Sequence, residues 1–199
     1  MPLPLSRRAA LGGAAVLGAT APFALSALPS QALPLPTHHP DHDSKTAKKF
    51  LQRVVDAYRA TGPRLAQSYQ DDSGLTDIAF VYDNALAVIA LPSVGDRARA
   101  RAIGDALLYA MENDETFDDY RLRQAYHANT FTNPDGTAHF GWEFGLVGTA
   151  VGDMSWAGIA LAHLARVTKR AEYLEGAVRI GDWIQRNARS TSGLKGYTF

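Results

Sequence analysis

Ala85-Leu86-Ala87-Val88-Ile89-Ala90-Leu91, preceded by Tyr82-Asp83-Asn84 and followed by Pro92, is apolar all the way round a helical wheel. A helix of that kind has no face to offer water and must be enclosed by other elements. Asp83 and Asn84 sit where an N-cap belongs, and Pro92 marks the expected stop. A second helix of the same character is expected from Ser155 to Ala165 (SWAGIALAHLA), behind Asp153 as another N-cap candidate. The neighbouring segments read differently. Lys45 to Thr61 places Ala47, Phe50, Leu51, Val54 and Tyr58 on one stripe, with Lys48, Lys49 and Arg53 between them and Gly62-Pro63 closing it. Arg97 to Met111 carries the stripe Ile103, Leu107, Leu108 and Met111, and a third runs through Leu174, Ala177, Val178, Gly181, Ile184 and Ala188. Outer amphipathic helices therefore alternate with inner apolar ones.

The alternation coincides with a repeat. Ile103-Gly104-Asp105 recurs as Ile180-Gly181-Asp182, each at the middle of an outer helix. Ser73-Gly74-Leu75, ahead of the first inner helix, recurs as Ser192-Gly193-Leu194 behind the last outer one, so a further inner helix is expected from about residue 201. Two stacked layers of helices make an all-α protein, either an open solenoid or a closed α/α ring. Five helices do not close a ring, and Gly196-Tyr197-Thr198-Phe199 is aromatic where chain ends are usually polar and frayed. The expected fold is an incomplete α/α toroid at residues 45–199, read as the N-terminal part of a longer product.

Composition narrows the class. The 199 residues are 46% apolar, enough for one core and short of two. Lys plus Arg equals Asp plus Glu at 20 each, so no net field attracts nucleic acid. Cysteine is absent, which removes disulfides, thiolate catalysis and Cys-ligated zinc. Ser6-Arg7-Arg8, the Ala/Gly-rich stretch Ala9 to Leu28 and the small residues around Ser30-Gln31-Ala32 resemble a twin-arginine signal peptide over residues 1–32. Arg7 and Arg8 would engage the twin-arginine export machinery, giving a secreted or extracytoplasmic product. Gly12, Gly13, Gly18 and Pro22 make the stretch a poor anchor, so no stable membrane span is expected after cleavage. Leu33 to Ser44 reads as a Pro/His-rich linker. Its His38, His39 and His42 are candidate metal ligands, weighed against the entropy of ordering a flexible segment, and no metal or other cofactor is expected.

Chemistry is sought in the long connection from Glu112 to Gly152, since connections of that length usually carry function. Thr130-Phe131-Thr132 and Thr137-Ala138-His139-Phe140 flank the turn sequence Asn133-Pro134-Asp135-Gly136, predicting a small β-hairpin over one end of the helices. The acidic run Glu112, Asp114, Glu115, Asp118, Asp119 lacks the spacing of a calcium loop and reads as a solvated turn. Trp142-Glu143-Phe144-Gly145, then Asp153 and Trp156, are matched in the earlier repeat by Asp77, Tyr82 and Asp83. Aromatic faces with carboxyl groups suit a sugar: rings cover its C–H surfaces, while paired carboxyls protonate a glycosidic oxygen and activate water or attack a sugar carbon. The candidate catalytic residues are Glu143, Asp153 and Asp83. The candidate sugar contacts are Tyr82, Asn84, Trp142, Trp156 and His127. Each has a plainer alternative, helix capping for Asp83 and Asp153 and core packing for the aromatics.

Phe80-Val81-Tyr82-Asp83-Asn84-Ala85-Leu86-Ala87 and Gly152-Asp153-Met154-Ser155-Trp156-Ala157 resemble the inner-helix entries of the six-hairpin glycosidase superfamily, a resemblance covering Ala47 to Phe199. It implies an (α/α)6 toroid with an active site in the funnel at the inner-helix ends. Members include glycoside hydrolases, polysaccharide lyases and sugar epimerases, so the resemblance implies an exported carbohydrate-active protein, glycosidase-like, acting on poly- or oligosaccharide. The alternatives are a non-catalytic glycan-binding helical domain, a lyase with Tyr82 or His127 as base, and an epimerase using histidines. With fewer than three complete hairpins, acids from the missing half would be absent and this fragment inactive.

Overall fold

Helices occupy the five places that the hydrophobic pattern assigns to them. The computed structural model describes residues 40–59, 61–70, 75, 77–141, 145, 146, 148–193 and 195–197. Their order is α1 (Pro40–Val55), β1 (Ile78–Phe80), α2 (Val81–Ser93), α3 (Arg97–Glu112), β2 (Ala125–His127), α4 (Val151–Thr168) and α5 (Ala171–Asn187). The two apolar helices, α2 and α4, pack against each other, α3 backs α2, α5 backs α4, and α1 touches α2 and α3. Short turns make each inner–outer pair a helical hairpin. Val88, Leu91, Ile103, Leu107, Met154, Leu161, Leu164 and Tyr173 are fully buried in one continuous core.

Two glycines let the hairpins close up. A Cβ on Gly104 of α3 would run into the Leu164 side chain and lie 3.1 Å from Tyr173 Cε1, and one on Gly176 of α5 would run into Leu108. Tyr173 thus crosses α3 at Gly104, and its hydroxyl donates to Asp105 at 2.6 Å. On the far side α1 is tied down by polar contacts. Gln52 donates to Asp96 at 2.7 Å, Lys48 to the Val94 carbonyl at 2.9 Å, and Asp56 receives both Arg64 and Arg99. Asp96 also caps α3, accepting from the Arg99 N–H.

Several boundaries depart from expectation. Helix α1 begins at Pro40, inside the stretch read as a linker, because proline and acidic residues are compatible with a first turn that lacks N–H partners. It ends at Val55, where Asp56 turns to meet Arg64 and Arg99. Helix α2 starts three residues before Asn84 and keeps Pro92 within its last turn, Gly95 at φ +79° turning the chain instead. The expected β-hairpin is present as a turn with one bridge, Thr132 to Ala138, and Gly136 at φ +90°. It is fastened to the end of α3 by Ala138 N–H on the Asn113 carbonyl, 2.7 Å, and by the Tyr109 hydroxyl on the Gly136 carbonyl. The strands β1 and β2, antiparallel with Ile78 opposite His127 and Phe80 opposite Ala125, were not expected.

The acidic run is a solvated turn only in part: Glu112, Glu115 and Asp118 are exposed, whereas Asp114 and Asp119 are taken up in contacts. The Asp114 side chain is 1% exposed and pairs with Arg123, which lies between the Phe117 and Phe140 rings. Burial alone would raise the Asp114 pKa, but hydrogen bonds from Arg123 and from the Thr116 and Phe117 N–H groups hold it below the usual carboxylate range. Asp119 accepts from Arg121 and from the Trp183 indole at 2.8 Å. Among the described residues no helix is long and apolar enough to cross a membrane, and the signal-peptide reading and the His38, His39 and His42 side chains lie outside them.

Gly104→Ala is expected to destabilise the chain by about 1–3 kcal/mol through overpacking against Leu164 and Tyr173. Gly152→Ala, with nothing among the described residues within 4 Å of the new Cβ, is expected to gain up to about 1 kcal/mol from helix propensity. Urea unfolding of the two variants checks the contrast.

Candidate active site

Packing α2 against α4 brings their first turns together. Neither N-cap residue, Phe80 or Ala150, makes a side-chain cap bond, and Asp83 and Asp153 each sit third in their helix. The capping role considered for both is therefore not what they do, although a negative charge in a first turn still suits the helix dipole. Tyr82 and Trp156 meet edge to face, ring centroids 5.7 Å apart at 90°, and remain 40% and 37% exposed. They are a wall open to solvent, not core.

Asp153 is half-buried and Asp83 exposed. Burial pushes the Asp153 pKa up, and the nearby Asp83 charge adds to the rise, against the opposite pull of the helix N-terminus. The structure thus joins four predicted residues, two carboxyls in unequal surroundings and two aromatic rings, at one helical mouth. Unequal carboxyls are what acid–base division of labour requires. Asp83 also borders a groove of about 320 Å³ lined by Phe50, Gln67, Ser68 and Leu86.

The other predicted residues fare differently. Asn84 is fully buried, accepts from the Ala66 N–H at 2.8 Å and donates to the Ala66 and Phe80 carbonyls at 3.0 and 2.9 Å. Its amide is spent on holding the segment after α1 against α2, so it neither caps the helix nor meets a sugar. His127 is buried, with Nδ1 2.9 Å from the Asp77 carboxylate and its ring stacked at 4.0 Å on His139, whose Nδ1 lies 2.9 Å from the Thr130 carbonyl. Asp77 and His139 were not among the predicted site residues; their link to His127 depends on pairing two three-residue strands, too short to read from a pattern. Trp142 and Glu143 lie outside the described residues. Among the described residues no three His, Cys, Asp or Glu side chains converge as a metal would need.

No family model matches the chain, and no curated protein is similar enough to count as a relative. Solved structures do match. An endo-β-1,4-glucanase from Acetobacter xylinum superposes with a TM-score of 0.50 at 14% identity over 76% of this chain and 41% of its own. An endoglucanase from Komagataeibacter sucrofermentans gives 0.49 at 18% identity, over 74% of this chain and 40% of that one. A cellobiose 2-epimerase from Bacillus thermoamylovorans gives 0.49 at 12% identity, over 77% and 38%. The fold is that of the α/α toroids. The chain spans less than half the length of each of these structures. The expected all-α class, the alternating inner and outer helices and the small β element are all observed.

Because Asp153 has a folded pKa above its ordinary value of 3.8, the folded state keeps this proton to higher pH than the unfolded chain. The resulting stability is complete below the unfolded pKa and is lost as pH rises through the folded one. Asp153→Asn is expected to remove this slope and to be more stable than wild type at neutral pH. Urea melts across that pH range test it, and an unchanged slope would contradict the burial of Asp153.

Proposed function

We propose that this protein is an exported carbohydrate-active enzyme of the glycoside hydrolase type, acting on poly- or oligosaccharide. The observation carrying the proposal is the pair Asp83 and Asp153 beside the Tyr82–Trp156 wall, with Asp153 pushed toward its protonated form. In this reading Asp153 donates its proton to the glycosidic oxygen, while exposed Asp83 acts as the base on water or as the nucleophile at the sugar carbon. Tyr82 and Trp156 hold a sugar ring by its C–H face. Glu143, two residues beyond Gly141, is the third candidate acid. Similarity in fold to an endo-β-1,4-glucanase supports the substrate class. A purely glycan-binding role called for carboxylates spent on capping, and neither Asp83 nor Asp153 caps its helix.

A second reading, proton transfer at a sugar carbon as in an epimerase, has its own support. The Asp77 carboxylate orients the His127 imidazole, the arrangement a histidine base uses.

On soluble β-1,4-glucan, Asp153→Asn in the full-length gene product is expected to lower kcat by about 10²–10⁴-fold, and Trp156→Ala to act mainly on KM. Unchanged kcat in Asp153→Asn would remove Asp153 from the mechanism. Loss of activity in His127→Gln with epimerised product in the wild type would favour the second reading. For export, the double substitution Arg7→Lys, Arg8→Lys is expected to leave uncleaved precursor in the cytoplasm, read by fractionation and N-terminal sequencing. Normal secretion of that variant would refute a twin-arginine route.

A further inference from the structure

Among the described residues only Tyr120 and Lys169 combine a side chain with a left-handed backbone. Lys169, at φ +61°, is the C-cap of α4, a place where helices commonly end in this way. Tyr120, at φ +63°, belongs to no helix and lies in the loop after α3. A bulky side chain is disfavoured in this conformation, which glycine or asparagine takes up readily. The turn around it is held on both sides. Asp119 accepts from the Arg121 N–H at 3.3 Å and from its guanidinium at 2.6 and 2.9 Å, and the Trp183 indole donates to the same carboxylate. Arg121 in turn lies 3.7 Å over the Phe117 ring. So presented, Tyr120 is 37% exposed, and its hydroxyl makes no hydrogen bond among the described residues. The Arg179 guanidinium lies 4.3 Å over its ring and is itself paired with Glu112 at 3.0 Å. A cation–π contact at an exposed site is weaker than the backbone penalty, so it does not by itself account for a tyrosine here.

We propose that Tyr120, flanked by Arg179 and Glu112, is a second glycan contact of this protein, outside the helical mouth. On the carbohydrate function proposed for the mouth, the ligand is the same class of chain. The Tyr120 ring covers the C–H face of one sugar, while the phenol hydroxyl, Arg179 and Glu112 meet its hydroxyl groups. The charges of Arg179 and Glu112 cancel, which suits an uncharged chain better than an anionic one. A ring fixed in advance by a strained turn suits this role, because a ligand then meets it without a further cost of ordering. The place is separate from the mouth. Tyr82 and Trp156 stand on the inner helices α2 and α4, whereas Glu112 closes outer helix α3 and Arg179 lies on outer helix α5.

The test is native electrophoresis of the full-length gene product through gels containing soluble β-1,4-glucan. Tyr120→Gly removes the ring and the backbone strain together, and is expected to weaken the glucan affinity read from the retardation by about five-fold. Its urea midpoint is expected to be no lower than that of wild type, and its hydrolysis of a short β-1,4-oligosaccharide unchanged. Tyr120→Phe, which keeps the ring, is expected to retain most of the retardation. Tyr120→Asn, also at ease in this backbone, is expected to lose it as Tyr120→Gly does, and guards against a glycine variant that folds poorly. Equal retardation of wild type and both ring-less variants would overturn the second contact, while a loss of kcat in Asp153→Asn would still uphold the mouth. Retardation lost with the ring, beside unchanged kcat in Asp153→Asn, would uphold the contact and remove the mouth from the mechanism. A wild type that the glucan does not retard, or a loss of retardation confined to variants that unfold at lower urea, would overturn the contact.

Discussion

Helices α2 and α4 have almost no polar face, and each covers part of its surface with the other and with an outer helix; the complete enclosure expected from their sequences is not met, since Leu86 of α2 and Ile159 of α4 stay exposed. Their contact organises the rest. It sets the hairpins side by side, and it forces α3 and α5 close enough that Gly104 and Gly176 are the only residue type the crossings admit without a shift. Once the two inner helices lie together their first turns must also be neighbours. The chemistry of the mouth is then a by-product of packing: Asp153 is partly desolvated by the same contact that brings Asp83 near it.

Polar residues complete what apolar packing starts. Asn84, Asp96 and Asp114 are buried carboxamide or carboxylate groups whose partners all lie in loops or on neighbouring elements. An unpaired buried polar group is costly, so each of these pins one backbone course: the segment after α1, the turn into α3 and the loop after it. The result is a rigid frame around a half-exposed aromatic pair, Tyr82 and Trp156. Both rings stay partly open to water beside the Asp153 carboxyl, whose pKa burial raises.

Helix existence, helix character and the two-layer plan were legible because apolar periodicity is a local property of the chain. The repeat of Ile-Gly-Asp was legible as well, and its meaning emerged only when Gly104 proved to lie under Leu164 and Tyr173 while Gly181 lies open. Caps were misplaced at Asp83, Asn84 and Asp153 because both inner helices begin earlier than their apolar runs, at Val81 and Val151, without any side-chain cap to announce them. The acidic run was misjudged at Asp114, because its partner Arg123 is brought to it by the fold of the loop.

By itself the sequence determined that this is an all-α chain of alternating outer and inner helices, since wheel position decides which side chains can meet water. It also placed Tyr82, Asp83, Asp153 and Trp156 among the candidate site residues, with helix capping and core packing as their plainer alternatives. Only the tertiary structure decided that these four share one place, that Asn84 belongs to the scaffold and that His127 is held by Asp77. Each of those facts depends on residues far apart in the chain, whose distances are set by how whole helices and strands pack and not by any local pattern.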